Sequence, residues 1–505
     1  MLAVESAQTA CQFSLATADI TPAVGTYHRM WGAATHDQSE GLHRPLRATL
    51  LRIEPQTSAT PPHASSSATS SSNSSSASST GHSPPAPLIW LALDHCLFGP
   101  PELSLVIEEM TRRSGRDCSQ VLVIFSHTHA AGLMTLDRQD LPGGAGIADY
   151  LRQIGRVAGE LLLKTEETKQ PATIVYGQGT CHLAAHRDLW DKSRQEFVCG
   201  YHPDGPTDST LIVARVTNPQ QQILATFVNY ACHPTTLAWD NRLISPDYPG
   251  AMRAVVEHET NAPCLFIQGA SGDLGPVEGF VGDVDVADRN GRQLGFAALA
   301  TLTALPPPAT RYEYAGAVVS GATIGVWRHQ PLGADRQQAV ARWNHQRETL
   351  LLDYRPELPT IEQVEQERAR QLLEESEAQR AGDEPRARRA RALVERQTRL
   401  LARLQQLPTG SLYPLRIDVW RLGDAIWVAV PGELYSIFQL QLRASFPERK
   451  MIIATLAQGW GPSYIPPQQT YGTGIYPESI AVLAKGSLEK IIHHVQNVIE
   501  RILEG

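Results

Sequence analysis

A chain of 505 residues, 42% apolar and 19% charged, has a globular composition and enough length for a large buried core. Its net charge of −8 excludes the basic footprint that nucleic acid demands, and no stretch approaches the length of a bilayer span. Seven cysteines, odd in number and without a CxxC pair, exclude a disulfide framework and read as buried thiols. With no basic and apolar leader at the start, the expectation is a cytoplasmic protein, another route of secretion being left open.

In chain order, "LRATLLRIEP" and "PLIWLALDHCLF" read as two strands of one hairpin. The Ser/Thr/Pro tract between them, residues 57–86, has too little apolar surface to fold and is expected to be a disordered loop. Next, "VIFSHTHAAG" is an apolar strand ending in His127 and His129. A bare HxH leaves a metal site and a packed polar turn level with one another. "QQILATFVNYACHPTTL" repeats the design, an apolar strand ending in His233 and a Pro-Thr-Thr turn. "YPGAMRAVVEHE" is helical, and "CLFIQGASGDLGP" is a strand running into a glycine-rich turn that holds Ser271, Asp273 and Gly275 and suits close backbone approach to a ligand. This alternation predicts an α/β fold: a mixed, buried β-sheet core flanked by helices.

Residues 332–407 are rich in Glu, Arg, Ala and Leu and predict an inserted pair of antiparallel helices, solvated on one face. The run "RARRARA" within them reads as a salt-bridged helix surface, with an anion site as the alternative. An assembly role for the insertion is a further option. "AIWVAVPGELYSIF" is a strand whose Glu433 is expected to start the next helix, where the helix dipole favours a carboxylate. Residues 486–505 predict a C-terminal helix. Strand ends thus offer imidazole, imidazole and carboxylate: two His and one Glu are a standard catalytic zinc set that keeps a fourth position for water.

The ordered motifs also carry a resemblance. "DITP" at 19–22, "MWG" at 30–32, "GLHRPLRATLLRI" from Gly41, Asp94, "SHTHAAG", "HRDLW", "GYHPDGPTDSTLIVARV", "NYACHPTTL", "QGASGDLGP" and "VPGELY" together resemble the catalytic domain of the neutral/alkaline non-lysosomal ceramidase family. The resemblance implies one catalytic domain over 12–490, interrupted by the two insertions and without the family's C-terminal β-sandwich. It implies a zinc-dependent amidohydrolase in which a zinc-bound water attacks a polarised carbonyl of a linear amide, the chemistry of sphingolipid metabolism. His127, His233, Glu433 and Tyr464 are the implied Zn2+ ligands. Tyr476, in "SYIPPQQTYGTGIYPES", is implied to contact the reacting amide, and Tyr471 also matches a family position. Arg187 matches an arginine near the scissile group, a salt bridge to Asp188 or Asp191 being the alternative. His129, two residues from a ligand on an extended segment, is expected to stabilise an oxyanion or relay a proton. Asp94 is expected to orient a ligand histidine.

One departure bears on substrate. Where the family has a serine in a GDxSPN motif this chain has Gly275, with Val277 at the asparagine position. Ser271 is the neighbour able to substitute, and Ser271, Asp273 and Gly275 are the expected substrate contacts. A small-molecule or lipid-like amide is the expected substrate. A non-ceramide amide, an ester, and a non-catalytic ligand-binding relative that keeps the fold are the alternatives, and a homo-oligomer is left open.

Overall fold

Along the strand Ile223–Tyr230, alternate side chains point to opposite faces, and both sets bury apolar groups: Ala225 and Phe227 join one buried cluster, Val228 and Tyr230 another. A strand apolar on both faces must be covered on both. The computed structural model, which describes residues 2–56 and 86–504, shows how. The loop expected at 57–86 lies, but for Ala86, outside the described residues.

Ile223–Tyr230 belongs to a mixed eight-stranded sheet whose order is Cys264–Gln268, Ile223–Tyr230, Thr210–Thr217, Gln170–Thr180, Gln8–Asp19, Arg47–Pro55, Leu88–Leu93 and Leu122–Phe125. The two outermost pairs are parallel and the inner pairings antiparallel. One face packs on a four-stranded sheet, Trp343–Asp353, Leu412–Leu422, Ala425–Ala429 and Lys450–Ala454. Indoles make that seam: Trp427 meets Trp90 at 5.2 Å and Phe227 at 5.7 Å between ring centres, edge to face. The outer face of the large sheet is covered by Pro100–Ser114 and Ile147–Glu167 at one end and by Tyr248–Thr260 and Val284–Thr303 at the other. Ile437–Ser445 and Ser487–Glu504 cover the outer face of the small sheet. The last helix does so with Leu488, Ile491, Ile492, Val495, Val498, Ile499 and Ile502, a single buried stripe at helical spacing. The result is four layers, helix, sheet, sheet, helix, and the mixed α/β core expected from the alternation of elements is what the chain forms. Among the described residues no helix is long and apolar enough to cross a membrane.

The insertion at 332–407 needs a correction. Its first part is not one of the pair: after the short helix Ala334–Val340, Trp343–Asp353 is a strand, paired antiparallel with Leu412–Leu422 along its whole length. It lies at the edge of the small sheet and buries only Leu352, so its sequence, WNHQRETLLLD, lacks the alternation that marks a half-buried strand. The helix pair is Ile361–Ala381 and Glu384–Gln405, joined through Gly382, whose φ of 71° is the left-handed cap that glycine takes freely. "RARRARA" is salt-bridged, with Arg386 on Glu374 at 2.6 Å and Arg388 on Glu384 at 3.1 Å. The opposite face of the second helix lies on the body of the protein. Ala392 sits so close to Gly32 that a Cβ there would be 3.3 Å away, and Glu395 reaches Arg138 at 2.8 Å.

Candidate metal centre

His127 and His233 leave strands six places apart in the large sheet, yet their rings are 4.6 Å apart. One segment, just after Lys450–Ala454, ties the two edges of that sheet together. The Gln458 backbone donates to the Val123 carbonyl at 2.8 Å, while the Thr455 backbone donates to the Gln268 carbonyl at 3.1 Å and its hydroxyl to the Gly269 carbonyl at 2.9 Å. The ends of strands 122–125, 223–230, 264–268 and 425–429 are thereby gathered in one place. Immediately beyond its strand, His127 takes a left-handed φ of 68°, a conformation that costs a residue with a Cβ roughly 1–2 kcal/mol. Such local strain persists where surrounding contacts impose it, and here the His127 amide donates to the His95 carbonyl at 2.9 Å.

Four donor groups converge. Glu433 Oε2 is 3.0 Å from His233 Nε2 and 3.3 Å from His127 Nε2, and the Tyr464 hydroxyl is 3.2 Å from His233 Nε2. All four residues are buried. Each imidazole is held from behind: His127 Nδ1 donates to the Cys96 carbonyl at 2.8 Å and His233 Nδ1 to the Ser271 carbonyl at 2.6 Å. A proton fixed on Nδ1 leaves the Nε2 lone pair facing Glu433, the tautomer a metal ligand needs. His127 Nε2 makes no hydrogen bond among the described residues.

The electrostatics point the same way. Burial and the Arg187 charge hold His233 down to about 3, hence neutral. Against burial, the imidazoles of His127 and His233 beside it hold the Glu433 carboxyl well below its usual range, so it is ionised. His127 is pushed up by Cys96 and Glu433 although burial opposes this. A buried carboxylate among uncharged partners demands one positive charge, and a divalent ion meets that demand as a proton on His127 does. Donor types, tautomers and charge therefore fit zinc held by His127, His233, Glu433 and Tyr464.

Glu433 is not at a helix start, as expected from its strand–helix context. It lies in the two-residue strand Glu433–Leu434, parallel to Tyr464–Ile465, and that pairing sets the carboxylate beside the tyrosine. The next helix begins only at Ile437.

The other expected site residues divide. His129 stands 4.9 Å from the His127 ring and 6.0 Å from that of His233, with a buried Nε2 that has no hydrogen-bond partner. Burial, with His127 and His233 beside it, holds its imidazole well below the usual range. Arg187 carries its guanidinium 5.1 Å from the Tyr464 ring centre and anchors one end on the Gly272 carbonyl at 2.7 Å. It forms no ion pair with Asp188, which instead accepts from the Tyr435 hydroxyl at 2.8 Å. Tyr476 is 46% exposed, its ring 5.9 Å from Tyr464. Tyr471 faces elsewhere, its hydroxyl on the Leu483 carbonyl.

Asp94 does not orient a histidine. It is a buried partner of Arg253, at 2.9 and 2.5 Å, and accepts from the Arg47 amide at 2.9 Å; the carbonyls of Cys96 and Ser271 orient the imidazoles instead. Asp273 is likewise turned away from the centre, accepting from the amide and hydroxyl of Ser436 at 2.6 and 2.7 Å. Gly275 is buried yet leaves room for a methyl group, since a Cβ would meet only the Thr235 hydroxyl at 3.7 Å, an ordinary contact. Ser271 stands behind His233, its hydroxyl accepting from Gln268 Nε2 at 2.6 Å, so it is a support and not a substrate contact. Ser271→Ala should therefore retain zinc with affinity lowered by no more than about 10-fold, since the orienting carbonyl remains. A metal titration checks this, and loss of zinc from a folded variant would refute the placement.

Sequence reasoning missed Cys96, whose only signal is its place after the Leu88–Leu93 strand, and Trp31, 5.2 Å from His129, which the MWG motif marks.

No family model and no curated protein matches the chain. Solved structures do. A neutral ceramidase from Pseudomonas aeruginosa is similar over 98% of this chain and 74% of its own, with a TM-score of 0.59 and 14% identity. A ceramidase complexed with C2 is similar over 97% of this chain and 74% of its own, with a TM-score of 0.57 and 15% identity. At such identity the likeness is one of fold: this chain has the neutral ceramidase fold, in a form whose sequence has diverged far from both structures.

Proposed function

We propose that the protein is a zinc-dependent hydrolase of an amide bond in an N-acyl compound. The observation that carries this reading is the convergence of two Nε2 atoms, a carboxylate and a phenol at gathered strand ends, with each Nδ1 locked by a carbonyl. Zinc bound there supplies a Lewis acid for the carbonyl and lowers the pKa of a water to about 7. The protein's own residues do the rest. Arg187 offers a fixed charge and an unpartnered, buried Nε toward a developing oxyanion. His129, kept neutral by its surroundings, accepts a proton at Nε2 and passes it to the departing amine. The Tyr476 hydroxyl, beside Tyr464, is a donor to the scissile amide. Trp31 packs on His129 and keeps water from that side.

The glycine at 275 supports a substrate other than ceramide itself, an amide or an ester of different shape. The test is direct: protein loaded with zinc is offered N-acyl amides of graded chain length and release of free acid is followed. Turnover should vanish with a chelator and return with zinc. Fully metallated protein that cleaves no amide or ester above the uncatalysed rate would sink the proposal in favour of ligand binding alone.

A further inference from the structure

The inserted helix Glu384–Gln405 lays one face, Ala392, Glu395, Arg399 and Arg403, on Gly32, Arg138, Met30 and Trp460. Arg399 pairs with Glu395 at 2.7 Å and donates to the Met30 carbonyl, next to Trp31. Arg403, one turn on, holds its guanidinium 5.5 Å from the ring centre of Trp460, in the loop that leads into Tyr464. Both arginines act on Tyr476: desolvation and Glu433 push its phenol up, while Arg399, Arg403 and Arg187 pull it down.

The two differ in one respect. The charge of Arg399 is matched by Glu395, whereas Arg403 has no carboxylate within ion-pair distance and no side-chain hydrogen bond among the described residues, and its Nε is buried without a partner. Trp460 covers a face of the guanidinium and leaves its in-plane N–H donors unused. A buried or half-buried charge of this kind is expensive unless something pairs with it. Tyr476, Glu433 and Tyr464 of the metal centre lie close enough to act on its charge. Resting on the hydrolase reading above, we infer that the substrate is an acidic N-acyl compound, of the N-acyl amino acid class, whose carboxylate is held by Arg403 while its amide lies at the metal centre. The planar fork of the guanidinium suits a two-oxygen anion, which neutral ceramide does not offer.

The test separates this from the hydrolase reading by measuring binding as well as turnover. Calorimetry on zinc-stripped protein compares N-dodecanoylglycine, its sulfonate analogue N-dodecanoyltaurine, and the neutral N-dodecanoylglycinamide. The glycine acid should bind more tightly than the glycinamide by about 10- to 100-fold, the worth of a hydrogen bond to a charged group. In Arg403→Gln that ratio should collapse toward one, and Arg403→Lys, which keeps the charge but loses the fork, should restore part of it. Equal binding of acid and glycinamide by the wild type, or a ratio that Arg403→Gln leaves unchanged, would overturn the inference. Tighter binding of the sulfonate than of the carboxylate would overturn the amino acid class. Preference for the acid with no turnover by zinc-loaded protein would sink the hydrolase and leave the anion site standing.

Discussion

His233→Ala protein should come off the column with less than about a tenth of a zinc per chain, where wild-type protein holds about one, because one ligand of four is lost from a site of the catalytic type. His233 is the hub of the cluster: its Nε2 is 3.0 Å from the Glu433 carboxylate and 3.2 Å from the Tyr464 hydroxyl, closer to each than His127 is to Glu433. Alanine removes a ligand atom and leaves Glu433 buried with a single imidazole partner. The Ser271 carbonyl, which held the ring, then faces a hole. Elemental analysis after dialysis against trace zinc makes the comparison, with circular dichroism to establish that the variant is folded. Turnover should fall at least 1,000-fold in parallel, the scale on which loss of a central catalytic group acts. Wild-type protein that stays free of metal when zinc is supplied, or a folded alanine variant that binds as much as wild type, would remove the basis for a metal hydrolase.

A second large effect belongs to a residue with no part in the chemistry. Asp94→Ala should lower stability by about 3–5 kcal/mol, because removing one partner of a buried pair strands the other's charge. Asp94 and Arg253 are both buried, and the carboxylate is also the acceptor for the Arg47 amide. Their side chains join the strand Leu88–Leu93 to the helix Tyr248–Thr260, so the loss should appear as an earlier denaturant midpoint of the whole chain. Zinc content of the folded fraction should not change. An Asp94→Ala protein of undiminished stability that loses its metal would show instead that the carboxylate serves the histidines. The double variant Asp94→Ala, Arg253→Met should recover much of the lost stability, since it strands no charge.

Much of the residue set that converges at this centre was legible in the sequence. His127 and His233 announce themselves because a strand buried on both faces is a largely apolar run, and a histidine just beyond it is conspicuous. Glu433 was legible for the same reason after Ala425–Ala429, although the local pattern placed it on a helix and the structure places it in a short strand. The sequence did not show the true partner of Asp94, which is 159 residues away, nor the edge strand Trp343–Asp353, whose polar surface hides its pairing. Arg403 was hidden differently, as one arginine among many in a helix whose outer arginines are salt-bridged.

By itself, then, the sequence determined which segments are apolar on two faces, which on one, and which polar groups stand at their ends, since these follow from local composition and period. The tertiary structure alone decided which ends meet. His127 and His233 come together because the 455–458 segment joins opposite edges of one sheet, Tyr464 because it runs parallel to Glu433, and Arg403 reaches the Trp460 ring because an inserted helix packs its inner face on Gly32. Those are contacts between residues far apart in the chain, selected by burial and hydrogen bonding of the whole molecule, and no local pattern encodes them.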